Sequence, residues 1–286
     1  MHAELAVDCR NAHGEGVLWN PQDGRVWWTD IHGQALWWHD PATGHHGTHD
    51  LPARLCAFAP RKAGGWIMAF AGGVELWDRS LATEAQVCVF EPDNANTRLN
   101  DGRTDRQGRF IVGGMNEGTG AADSSVIRID AALRVETLLT GIACANSTCF
   151  SPDGRVMYFA DTPQRRIAAF PYGDSIGAPA AFADLTAEPG LPDGSCVDAE
   201  GGVWNAQWQG GQVVRFGTDG RITHRITLPV GKATCCAFGG ADLATLFITT
   251  SQLMSGPEEL ARTPLAGSLF AVRPGLTGVA DAAFAG

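Results

Sequence analysis

A chain of 286 residues with 21 Lys and Arg against 31 Asp and Glu carries a formal charge of -10, which argues against nucleic acid and anionic membrane surfaces as partners. Hydrophobic residues make up 44% and charged residues 18%, enough for a packed core and against wholesale disorder. No apolar run approaches the roughly 20 residues of a membrane span, and the opening Met1-His2-Ala3-Glu4-Leu5 lacks the basic and apolar regions of a signal peptide, so a soluble, cytoplasmic protein is expected.

In chain order, the first expected strand is Glu4–Val7. Short strands follow at Val17–Trp19, Val26–Ile31 and Ala35–Asp40, separated by Gly-bearing hairpin turns. The turn at Gln22-Asp23-Gly24-Arg25 precedes the apolar run Val26-Trp27-Trp28, and the same text returns along the chain. Gly64-Gly65 precedes Trp66-Ile67-Met68, Gln107-Gly108-Arg109 precedes Phe110-Ile111-Val112, and Asp153-Gly154-Arg155 precedes Val156-Met157-Tyr158-Phe159. Glu200-Gly201-Gly202 then precedes Val203-Trp204, and a degenerate Gly239-Gly240-Ala241-Asp242 precedes Leu246-Phe247-Ile248. Units of four strands repeating every 40–50 residues or so are propeller blades. The prediction is an all-β, six-bladed β-propeller in one domain covering residues 1–286, with Glu4–Val7 completing the last blade.

The innermost strand of a propeller blade begins near the mouth of the central channel, so equivalent positions converge there. Eight residues before Gly108, Gly154 and Gly201 stand Asn100, Asn146 and Asp193, and nine before Gly24 stands Glu15. The second and sixth units carry Cys56-Ala57 and Ala233-Thr234 at the corresponding stretch. Asn and Asp are common turn residues, which accounts for any one of these positions but poorly for four in register. A Glu, an Asp and Asn residues form an all-oxygen set suited to a divalent cation such as Ca²⁺, Mg²⁺ or Mn²⁺.

These residues also carry a family resemblance. His13-Gly14-Glu15-Gly16 with Trp19, Arg98-Leu99-Asn100-Asp101-Gly102, Asn146, and Leu191-Pro192-Asp193-Gly194-Ser195 resemble the regucalcin/gluconolactonase (senescence marker protein) family. Gly113-Gly114-Met115-Asn116-Glu117, Trp208-Gln209-Gly210-Gly211, Cys235-Cys236-Ala237-Phe238-Gly239-Gly240 and Leu246-Phe247-Ile248-Thr249-Thr250-Ser251 add to it, from about Gly14 to Val272. The resemblance implies a six-bladed propeller holding one divalent ion (Ca²⁺, Zn²⁺, Mn²⁺, Mg²⁺ or Fe²⁺) and hydrolysing sugar lactones. It implies Glu15, Asn146 and Asp193 as metal ligands, and Arg98 and Asn100 as substrate holders. Glu117 would accept hydroxyls of a polyol ring. One departure stands beside the metal Asn, where Ala145-Asn146-Ser147 replaces the family's usual Ser-Asn-Gly, so a different local backbone is expected there.

The implied chemistry is attack of water on a polarised lactone carbonyl, with Asp193 as the base and Arg98 gripping oxygens through paired hydrogen bonds. Gly-x-Ser-x-Gly is absent, which weakens a serine-esterase reading. The expected partner is a small-molecule sugar lactone, and the expected state a monomer or small homo-oligomer. Two other classes remain: a calcium-binding regulatory protein without turnover, and a propeller scaffold, which needs no acid-amide set. Cys9, Cys56, Cys88, Cys144, Cys149, Cys196, Cys235 and Cys236 include no Cys-x-x-Cys pair, so reduced thiols are expected. His45, His46 and His49 read as a solvated outer turn, and Trp27-Trp28 with Trp37-Trp38 as packing between blades.

Overall fold

Every glycine turn of the repeat closes a hairpin between the first and second strands of a four-stranded antiparallel sheet. Gly24, Gly65, Gly108, Gly154, Gly201 and Gly240 all have φ between 68° and 84°, a left-handed conformation that costs glycine nothing. A computed structural model of the chain describes all residues, 1–286. It contains six such sheets, whose innermost strands are Gly14–Asn20, Leu55–Pro60, Thr97–Thr104, Ala145–Phe150, Leu191–Val197 and Ala233–Gly239. These six touch one another in ring order, the first against the last. The architecture is the six-bladed propeller expected from the repeat. The strand Glu4–Val7 pairs with Leu269–Val272 as the outermost strand of the sixth blade, which closes the ring by joining the two ends of the chain.

Burial explains the strand text. All six residues of Ala145–Phe150 are buried, because an inner strand meets neighbouring blades on both faces. Fourth strands such as His46–Asp50 and Thr83–Val89 are mostly exposed, and the first of these reads as polar. The apolar core is divided into six clusters, one between each pair of adjacent blades. Trp27 packs toward the second blade and Trp28 toward the sixth, while Trp28 stacks on Trp37 at 5.8 Å. All eight cysteines are free, and successive Cys235 and Cys236 serve opposite faces of their strand. His45, His46 and His49 are exposed.

The last residues add an element that the repeat does not announce. Phe284 is fully buried, Ala285 N donates to Gly108 O at 2.8 Å, and Phe284 N donates to Pro60 O at 2.8 Å. Arg103 forms an ion pair with Asp281. The tail therefore crosses the hairpin end of the inner strands, opposite the ends that carry Glu15, Asn146 and Asp193. The only α-helix, Pro257–Arg262, is short, and no helix is long and apolar enough to cross a membrane.

Crowding near the axis sets one strict requirement. A Cβ at Gly194 would lie 2.6 Å from Cys235 Sγ and 2.9 Å from Cys235 Cα, so the fifth and sixth inner strands meet where only glycine fits. Gly194→Ala should cost about 1–3 kcal/mol through overpacking and displace the neighbouring Asp193. Urea denaturation measures the first effect. An unchanged midpoint would show that the two strands separate freely.

Candidate functional site

The inner strands share a device that builds the site. In every blade the pairing between first and second strands is interrupted by a bulge near the start of the inner strand: between Glu15 and Leu18, Leu55 and Ala57, Leu99 and Gly102, Asn146 and Cys149, Pro192 and Ser195, and Ala233 and Cys236. A bulge bends the strand and re-aims a side chain. Gly16 and Ser147, which follow Glu15 and Asn146, each have φ of 60°. Ser147 thus takes the left-handed conformation suited to a glycine despite its side chain. Its hydroxyl donates to Asp193 O at 2.7 Å and accepts from Asn205 Nδ2 at 3.1 Å, which offsets the strain and ties the fourth blade to the fifth.

Glu15, Arg98, Asn100, Asn146 and Asp193 line one cavity of about 230 Å³. The carboxyls of Glu15 and Asp193 are within hydrogen-bond reach of each other. Burial, followed by the charge of Asp101, pushes Glu15 up to about 8. Burial and the charge of Glu15 raise Asp193 well above the usual carboxylate range. Neither carboxyl forms a salt bridge to a lysine or arginine. Asn146 Nδ2 donates to Thr162 Oγ1 at 2.8 Å, and Thr162 Oγ1 donates to Pro192 O at 3.0 Å. Thr162 therefore fixes the flip of the amide, leaving Asn146 Oδ1 without a partner.

Two desolvated carboxyls that repel each other, beside an oriented amide oxygen, form a donor set that fits a hard divalent cation. Arg98, which lines the same cavity, is 5% exposed. Its Nη1 donates to Asn100 Oδ1 and Leu99 O, both at 2.9 Å. Its Nε donates to Glu117 Oε2 at 3.1 Å. Glu117 also accepts from Arg54 at 2.9 Å and does not line the cavity; it reaches the site through Arg98. Burial would raise the Glu117 carboxyl, but the two guanidiniums hold it below its usual range. Asn100 Nδ2 donates to Ala145 O at 2.9 Å, coupling the third blade to the fourth. Asp101 Oδ2 accepts from Thr148 N at 2.8 Å.

The family model described as "SMP-30/Gluconolactonase/LRE-like region" matches residues 13–252. The chain belongs to this family. Within it, the protein is 38% identical to the L-arabinolactonase of Azospirillum brasilense, over 99% of this chain and 96% of that one. It is 35% identical to the 6-deoxy-6-sulfogluconolactonase of Pseudomonas putida, over 96% and 95% of the two chains. The crystal structure of a calcium-binding protein, regucalcin, from Agrobacterium tumefaciens superposes with a TM-score of 0.93 at 29% identity, covering 99% of this chain and 97% of that one.

The cavity of this family member also has walls to which the sequence reading assigned no role. Trp208, Met115 and Leu191 supply apolar surface, and Leu253 and Met254 form a lip at the mouth. The loop bearing that lip is anchored by Lys232, whose Nζ reaches Glu259 Oε1 at 3.0 Å. Met115, Leu191 and Trp208 lay inside the family motifs, but nothing in their residue type pointed to a cavity. Thr162 and Cys144 had no repeat position to mark them. His13 stood two residues before Glu15 without an assigned part. Burial pushes His13 down to about 3, with the Arg98 charge acting in the same direction.

Proposed function

We propose that the protein hydrolyses sugar lactones to the corresponding acids, with one divalent cation held by Glu15, Asn146 and Asp193. The observation that carries this reading is the paired, desolvated carboxyls of Glu15 and Asp193 in a cavity that also presents a buried guanidinium. Lactonase relatives at 35–38% identity over nearly the whole chain point to the same activity. A bound divalent cation would polarise the lactone carbonyl as a Lewis acid.

The chain's own residues divide the remaining work. Asp193, kept as the anion when a cation is bound, takes a proton from the attacking water. Arg98 grips the ring and carbonyl oxygens of the lactone with charge-assisted hydrogen bonds, and Asn100, itself held by Ala145 O and Arg98, sets the angle of that grip. Glu117 steadies the guanidinium. It does so from behind, sharing its carboxylate between Arg98 and Arg54. Trp208 offers an apolar surface to the C–H face of a sugar ring and limits the water around the carbonyl.

The direct experiment is a pH-stat measurement of acid release from a panel of aldonolactones, using protein reconstituted with each divalent ion in turn. Acid release supports the reading. Cation binding with no turnover of any lactone would favour a calcium-binding regulatory protein instead. Arg98→Ala should lower kcat/KM by about 10–100-fold, the worth of a lost charged hydrogen bond, while leaving metal content unchanged, because arginine has no lone pair for a metal. Loss of bound metal in that variant would show that Arg98 supports the cation site rather than the substrate.

A further inference from the structure

His13 lies beside the proposed cation site with its ring orientation fixed. Its Nδ1 is 2.9 Å from Ser251 Oγ. That hydroxyl donates its single proton to Ala12 O at 3.1 Å and accepts from Leu253 N at 2.9 Å. We assign the ring proton to Nδ1, which then donates to Ser251 Oγ while the hydroxyl proton goes to Ala12 O. In the neutral ring the lone pair is then on Nε2. The indole of Trp208 meets the ring edge-on at 5.6 Å and His32 packs tilted at 5.6 Å, so the ring cannot turn without displacing its neighbours.

Nε2 has no hydrogen-bond partner in the protein and is not sealed away among the buried unpartnered atoms. His13 is 8% exposed and lines the cavity, so its small accessible surface opens there. A cation does not account for this lone pair, since no third His, Cys, Asp or Glu joins Glu15 and Asp193 at metal-ligand spacing. Of the cavity's other acceptors, Asn100 Oδ1 accepts from Arg98, and the oxygens of Glu15, Asn146 and Asp193 are those assigned to the cation. A polyol brings hydroxyl protons that need acceptors.

Resting on the lactonase reading, we propose that His13 Nε2 accepts a hydrogen bond from one hydroxyl of the bound lactone, making His13 a specificity-determining residue. A hydroxyl buried without its acceptor loses about 5- to 150-fold in binding, and that loss applies only to substrates bearing it.

The test compares wild type with His13→Phe on L-arabinono-1,4-lactone and its 2-, 3- and 5-deoxy analogues, with metal content measured on each sample. The expected result is a kcat/KM loss in that range, carried mainly by KM, on every substrate except one deoxy analogue, which both proteins turn over equally. His13→Gln, which keeps a side-chain acceptor, should recover part of the loss and serves as the comparison should the Phe variant not fold. An equal loss on all four lactones, or loss of bound metal, would overturn the proposal. A wild type that turns over none of them would overturn the lactonase reading instead. Calorimetric titration of L-arabinose then decides the contact separately: weaker binding to His13→Phe supports it, and equal affinity removes it.

Discussion

Asp193→Asn is expected to lower lactone turnover by about 10²–10⁴-fold at full metal occupancy, the span of general base catalysis. The substitution keeps the shape and one carbonyl oxygen but removes the charge and the proton acceptor. Asn146→Asp is the informative contrast, because the repeat register makes the two positions equivalent while their chemistry differs. An aspartate at 146 retains an oxygen ligand and gains charge, so metal should stay bound. It lacks the amide N–H that donates to Thr162 at 2.8 Å and turns Oδ1 away from it, so a smaller loss of rate is expected. Occupancy must be measured on the same samples, since a half-empty site mimics a slow one. Asp193→Asn protein with full occupancy and near-normal turnover would remove Asp193 as the base.

Stripping divalent ions with a chelator should abolish lactone hydrolysis, and one or more divalent ions should restore it. A second signature is independent of turnover. In the metal-free fold Glu15 ionises at about 8 instead of 4.5 because burial and the Asp101 charge oppose its anion. A carboxyl whose folded pKa lies above its unfolded value stabilises the fold at low pH, and that stability is lost as pH rises through the folded value. Asp193 is shifted in the same direction. The melting temperature of chelated protein should therefore fall between about pH 4.5 and 8, whereas metal-loaded protein, whose ligands must be deprotonated, should be spared that fall. The gap between the two curves should widen with pH. A chelated protein whose melting temperature is flat across this window would mean that both carboxyls ionise freely and need no cation. Full activity in verified metal-free protein would remove the metal from the reaction.

The ring and the convergence of its first-strand residues were legible in the sequence because both are periodic. A hairpin glycine at φ near 70–80° recurs in every blade, and counting back from it reached Glu15, Asn100, Asn146 and Asp193, which line one cavity. Blade closure by Glu4–Val7 was legible for the same reason: six units over this length leave one strand to pair at the seam. Glu117 was placed by its motif alone, and the fold sets it behind Arg98 rather than on the cavity wall. Ser147, which stands where the family usually has glycine, is held in the left-handed conformation by Asp193 O and Asn205, one blade away.

What tertiary structure alone decided are the features without a period. Thr162 orients the Asn146 amide from the end of another strand, and Ser251, at the far end of the repeat, holds His13 Nδ1 at 2.9 Å. The tail through Phe284 crosses the hairpin end of the ring although its sequence has no blade pattern. The physical reason is one of range. Strand alternation and turn chemistry act over a few residues and repeat with each blade. The flip of an amide, the proton on an imidazole and the pKa of a carboxyl depend on single atoms brought together across the channel, from positions as far apart in the chain as His13 and Ser251.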